Sequence, residues 1–194
     1  MEVLQVSREA RQPAVRFLTL GLALGALGLS GCDDPCKAPP KFRLEGSLSQ
    51  VMDLGYDEAR VLLAPEDVSL LFVRTHCQTA VSDDGGVPDP GTMVGMVEDY
   101  PLKVGYRLLG DVIGGRYDLS AQDDAGAQRG SLSRNVRNDP RNTLPVILRG
   151  TLYFDAPLDP DAGVGGDFHV TFENGIEAAS GRTVFSTSFS ARVQ

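Results

Sequence analysis

The chain has no tryptophan, two histidines, three cysteines and no apolar run long enough to cross a bilayer as a helix. Each shortage removes a class of protein. His76, His169, Cys32, Cys36 and Cys77 are too few and too scattered for a zinc site. No His-Glu-x-x-His stretch occurs, and no Gly-x-Ser-x-Gly elbow lies beyond Cys32, so the usual signatures of metallohydrolases and serine hydrolases are missing. His76 and Cys77 are adjacent, which on a strand sends them to opposite faces and denies the thiol a base. Basic residues are also scarce: 18 Lys and Arg face 26 Asp and Glu, a net charge of −8. A phosphate backbone needs basic clusters, so nucleic acid is not an expected partner. These shortages point to a non-enzymatic chain without a cofactor.

The one uncharged apolar stretch of note is Phe17–Leu29, FLTLGLALGALGL, preceded by Arg8, Arg11 and Arg16. About 20 apolar residues are needed to span hydrocarbon. This shorter run has the form of the apolar region of an export signal. It closes on Leu29-Ser30-Gly31-Cys32. That box resembles the lipobox of bacterial lipoproteins. The resemblance implies cleavage between Gly31 and Cys32, diacylglycerol on the Cys32 sulfur and acylation of the new amine. It places the protein in the cell envelope, anchored to the inner or outer membrane. Each buried methylene contributes about 0.8 kcal/mol, so two or three chains hold a protein firmly where one barely does. Residues 1–31 hold three Arg and two Glu, leaving a net charge of −9 on residues 32–194. Attachment to anionic lipid therefore needs the acyl chains, because charge opposes it. Asp33 resembles the inner-membrane retention signal of enterobacterial lipoproteins.

After the signal peptide (1–31), residues 32–41 read as a lipidated, proline-rich tether and 42–194 as one domain. Candidate strands are Phe42–Met52, Arg60–Leu63, Val68–Thr75, Leu102–Leu109, Tyr117–Gln122, Gln128–Val136, Val146–Phe154, Phe168–Glu173 and Arg182–Val193. Asp57–Arg60 can form one helical turn. Phe168, Val170 and Phe172 alternate with polar residues, and Phe185, Phe189, Ala191 and Val193 share another face. Turn signals such as Asn174-Gly175 and Gly114-Gly115 separate the runs. The expectation is an all-β domain, an antiparallel β-sandwich of eight to nine short strands, with a β-barrel as the other arrangement. Segments 45–61 and 168–193 also resemble lipoproteins of myxobacteria, which implies the compartment and a β-rich fold but no activity.

Several side chains are candidates for sites. With Cys32 lipidated, Cys36 and Cys77 are left as a disulfide or as two free thiols; exported proteins favour the disulfide. Closing that loop of roughly 40 residues is worth about 4 kcal/mol. Asp159, Asp161 and Asp167 are candidate calcium ligands, as are the acidic loops at 82–91 and 122–126, although none has EF-hand spacing. Asp and Gly are also what ordinary turns require. Arg134, Arg137 and Arg141 can grip an anion, or can pair with nearby aspartates. His169 lies on the polar face of its strand.

The function these features suggest is a lipid-anchored envelope protein whose β-domain binds a protein or a glycan. The alternatives are an envelope hydrolase using paired carboxylates and a calcium-stabilised adhesion module. Metabolic labelling with a fatty-acid analogue tests the anchor. The native protein takes up label and a Cys32→Ser variant does not; equal labelling of both contradicts the lipobox reading.

Overall fold

The structure, a computed structural model, describes residues 38–79 and 93–194. Gly31, Cys32, Cys36 and the acidic loop at 82–91 lie outside the described residues. The strands are β1 (Phe42–Arg43), β2 (Gly55–Tyr56), β3 (Glu58–Leu63), β4 (Asp67–Thr79), β5 (Met93–Arg107), β6 (Arg116–Asp118), β7 (Gly130–Asn135), β8 (Ile147–Phe154), β9 (Gly163–Phe172) and β10 (Thr183–Val193). Among the described residues there is no α-helix, only a 3-10 turn at Ser47–Gln50. The domain is all-β, as expected.

β1 and β2 form a separate antiparallel pair. The other eight form one mixed sheet in the order β6-β8-β9-β10-β3-β4-β5-β7. Its single parallel contact joins β10 to β3. In place of two stacked antiparallel sheets, one sheet curls until it is nearly closed into a barrel. Curling covers every inner face at once, which a flat sheet of this width cannot do.

A chain of aromatic rings fills the inside. Tyr56 meets Phe72 at 4.8 Å between centroids, and Phe72 meets Phe168 at 5.4 Å. Phe189 stands edge-on to both Phe72 and Phe154. Phe154 reaches Tyr117 at 6.1 Å, and Tyr117 reaches Tyr106 at 4.7 Å. This last contact links edge strand β6 to β5, next to the opposite edge, β7. Polar links close the same seam: Gln128 donates from Nε2 to the Ile147 carbonyl (2.7 Å) and accepts from Ile147 N (3.2 Å). The amide of Gln128 thereby acts as a strand partner where no strand runs.

Several sequence expectations shift for local reasons. Phe42–Met52 is not one strand: Ser49 Oγ donates to the Gly46 carbonyl (2.6 Å) and the chain turns there. The turn lets Leu44, Leu48, Met52 and Leu54 pack into the core. Asp57–Arg60 makes no helical turn, because Glu58 onward joins the sheet. Tyr117–Gln122 stops at Asp118, whose carboxylate takes Ser120 N and Oγ. In β10 the pairing slips between Ser186 and Phe189. That bulge exchanges the faces, so Val184 and Ser186 point inward and Phe185 stacks outside on His169. β9 begins at Gly163 instead of Phe168, through glycines that resembled a loop. A Cβ on Gly166 would strike the Tyr153 carbonyl and the Phe189 ring. The glycine is there for close approach between strands.

β4 and β5 outrun their neighbours. Pairing with β3 ends at Glu58–Val73, and pairing with β7 ends at Tyr100–Asn135. Beyond these points, Arg74–Thr79 and Met93–Asp99 pair only with each other, as a two-stranded arm.

Core and arm predict different sensitivities. Phe72→Ala should lower unfolding free energy in urea by about 4 kcal/mol, the usual cost of deleting a buried ring. Met96→Ala, on the exposed arm, should change it by less than about 0.5 kcal/mol.

Candidate functional site

The candidate arginines fall where β7 leaves the sheet. Asn138 takes a left-handed conformation (φ 64°) and Asp139 N bonds back to the Val136 carbonyl (3.1 Å), which turns Asp139 inward. Arg134 Nη1 donates to Asp139 Oδ2 (2.7 Å). Arg141 grips the same carboxylate from Nε to Oδ1 (2.8 Å) and from Nη2 to Oδ2 (2.7 Å). Asp139 thus fills the Arg141 fork and takes one nitrogen of Arg134, whose Nη2 reaches the Asp53 carbonyl (3.5 Å) and whose buried Nε has no partner among the described residues. Arg137 instead points its side chain to solvent, and its backbone N donates to Asp99 (3.2 Å). The three arginines therefore do not converge on a common anion. Two of them fasten a turn.

The same network reaches the segment that plugs the core. Arg141 Nη1 donates to the Val51 carbonyl (2.8 Å), and Asp53 accepts from Arg74 (2.5 Å) and Arg43 (3.2 Å). The Arg141 fork, against an upward push from burial, holds the Asp139 carboxyl well below the usual carboxylate range, with Arg134 adding to it. Burial pushes Asp53 upward, but hydrogen bonds from Arg74, Gly55 N and Arg43 outweigh it and leave its carboxyl lowered.

Asp159, Asp161 and Asp167 do not assemble. Asp161 is exposed at a tight turn and sits 3.9 Å from Arg192, while Asp167 lies within β9, paired with Tyr153. Among the described residues no group of three such side chains is placed to hold a metal ion. In the 122–126 loop, Asp123 accepts from Ala125 N, Ala127 N and Arg107, so its carboxylate stabilises its own turn. Asp57, Asp99, Asp111 and Asp155 are likewise occupied by backbone or side-chain donors. His169 is exposed, as expected.

His76 and Cys77 lie on the arm. His76 Nε2 is 3.0 Å from Asp99 Oδ2, a pairing that register creates and no local motif announces. Cys77 is disulfide-bonded. Its expected partner, Cys36, lies outside the described residues.

A different group of residues does converge. On the outer face, Leu62, Ser69, Gly105 and Ser131 form one row across β3, β4, β5 and β7. A cavity of about 350 Å³ lies over this row, with Lys103 on one side and Asp67, Arg107, Gln128 and Arg129 on the other. The position a Gly105 Cβ would occupy is 2.7 Å from Ser131 Oγ and 3.7 Å from Ser69 Oγ. Two hydroxyls therefore flank a missing side chain. Arg129 is held over the Tyr106 ring, 4.6 Å from its centroid, and pairs with Asp111; Arg107 pairs with Asp123 at 3.0 Å. Sequence reading missed this site, because its residues come from four strands. The only local sign was a glycine inside an alternating run.

No family model matches this chain, and no curated protein or solved structure is significantly similar to it.

Asp139 makes a pH prediction. A carboxylate lowered in the folded state contributes stability above its unfolded pKa of about 3.9, and loses it as pH falls toward the folded value. Asp139→Asn leaves the buried Arg134 guanidinium without its counter-charge, at a cost of about 3 kcal/mol near neutral pH. Thermal melts of this variant should start lower at pH 7 and fall less steeply between pH 5 and pH 3 than wild type. Parallel curves for the two proteins contradict the clamp.

Proposed function

We propose that this chain is a lipid-anchored protein of the cell envelope whose β-domain is a non-enzymatic binding module. Cys32 carries the lipid, and the ligand meets the outer wall of the barrel. The observation that carries the binding reading is the cavity over Ser69, Gly105 and Ser131. The interior is filled by aromatic rings, so a ligand has room outside the sheet. The engagement of so many aspartates by internal donors favours binding over carboxylate hydrolysis.

The tether fits the same reading. Asp57 accepts Lys41 N (3.3 Å) and Thr75 N (3.0 Å), which puts residue 41 beside the strand that carries Cys77. Five residues reach at most about 17 Å, enough for Cys36 to be the cysteine joined to Cys77. The bond would hold the arm close to Cys32 and to the bilayer. A disulfide also suits an oxidising compartment outside the cytoplasm.

Fractionation tests the anchor. The native protein should pellet with membranes, resist carbonate washing and dissolve in detergent. Cys32→Ser should be exported or retained without firm membrane attachment; a carbonate-resistant Cys32→Ser protein overturns the proposal.

A further inference from the structure

We infer that Asn174 is a self-modification site, where the side-chain amide is lost to the main-chain nitrogen of Gly175 and the chain reopens chiefly as isoaspartate. This goes beyond the binding-module reading and does not rest on it.

Asn174-Gly175 has the composition of a tight hairpin turn, which needs left-handed residues. The fold does not use the pair that way. The connection from β9 to β10 takes residues 173–182, and its left-handed residue is Gly181 (φ 68°). Gly175 is not left-handed, and the nearest atom to its absent Cβ is Ser180 Oγ at 2.8 Å, the tip of a rotatable side chain. Neither backbone conformation nor close backbone packing therefore requires glycine at 175.

What the glycine permits is a reaction. Asn174 and Gly175 are both exposed. Among the described residues the Gly175 N–H makes no hydrogen bond, and neither does the Asn174 carboxamide. Nucleophile and electrophile are thus adjacent, solvated and unengaged. Gly175 N–H gives its proton to hydroxide, and the nitrogen forms a bond to Asn174 Cγ. The Cγ–Nδ2 bond breaks, and ammonia leaves with a proton from water. The succinimide so formed takes up one water. Opening at the main-chain carbonyl routes the chain through Cγ, as isoaspartate; opening at Cγ leaves ordinary aspartate. The main-chain carbonyl, next to the electron-withdrawing amide on Cα, is the more electrophilic of the two. Carboxamide and water become carboxylate and ammonia, and nothing is oxidised.

The other asparagines supply the contrast. Asn135, Asn138 and Asn142 precede Val136, Asp139 and Thr143. Each follower sets a side chain beside the attacking nitrogen, stiff and branched at Cβ in Val136 and Thr143. Asp139 N is already committed to the Val136 carbonyl (3.1 Å), and Asn135 is held in β7 opposite Tyr100.

The consequence stays local. Gly181 N donates to the Glu173 carbonyl (2.8 Å) and Phe172 N to the Arg182 carbonyl (3.0 Å), closing the base of the loop beneath Asn174. Above that base, the change lengthens the main chain by one carbon and adds a carboxylate between Glu173 and Glu177. Ile176 and Val146, both exposed, border the same hollow, so the loop becomes more acidic around an apolar patch.

The test ages the full chain in neutral and in mildly alkaline buffer and maps its peptides by mass spectrometry, with fragmentation that separates isoaspartate from aspartate. Asn174 should lose its amide faster as hydroxide rises, with isoaspartate outweighing aspartate. Asn135, Asn138 and Asn142 should stay intact, and the melting temperature of the aged chain should be unchanged. Gly175→Ala, whose added Cβ meets only the movable Ser180 side chain, should melt with wild type and lose the Asn174 amide at least tenfold more slowly. An Asn174 that outlasts Asn138 or Asn142 in the wild type, or that ages equally fast in Gly175→Ala, overturns the inference. So does aspartate without isoaspartate, the mark of direct hydrolysis by water. The comparison among asparagines and the product ratio are both read on the wild type, so the inference is decided even if the variant folds poorly.

Discussion

Tyr106 against Tyr117 is the contact on which the architecture depends. The two rings lie 4.7 Å apart and belong to strands near opposite edges of one eight-stranded sheet. Without that contact the sheet has two open edges and an apolar face wider than its loops can cover. With it, the inner faces of all the strands share one aromatic core. Closure by rings and by the Gln128 amide replaces a continuous ladder of backbone hydrogen bonds. The lumen is filled as a result.

Charge serves geometry above all. Arg134, Arg141, Asp139 and Asp53 tie the turn after β7 to the segment that plugs the core, and each carboxylate is matched by donors. Ion pairs exposed on the strands, such as Arg60 with Glu58 and Glu98, contribute little by comparison, because water screens them. The difference lies in burial. The Arg134 side chain is 1% exposed, so its counter-charge is a structural requirement. Lys103 is the contrast: it is exposed and has no ion-pair partner among the described residues.

What the sequence made legible was local. Alternation in Phe168–Phe172 and the turn residues between runs were enough to identify an all-β domain, because side-chain period and turn chemistry act over a few residues. The parallel meeting of β10 with β3, the projecting arm and the His76–Asp99 pair depend on long-range register, which local pattern does not encode. The bulge at Ser186–Phe189 reversed the expected place of Phe185, since one extra residue exchanges faces. The arginines were visible as a cluster, but their partner Asp139 was the deciding residue. The row Leu62, Ser69, Gly105, Ser131 exists only once four strands are aligned.

The domain combines a nearly closed aromatic core with a two-stranded arm that projects beyond the sheet. That arrangement stands or falls with closure of the sheet. A double-mutant cycle between Tyr106→Leu and Tyr117→Leu, read by urea denaturation, measures it. Closure predicts a coupling energy of about 1 kcal/mol between the rings; effects that simply add, within about 0.3 kcal/mol, would mean that the edges do not meet.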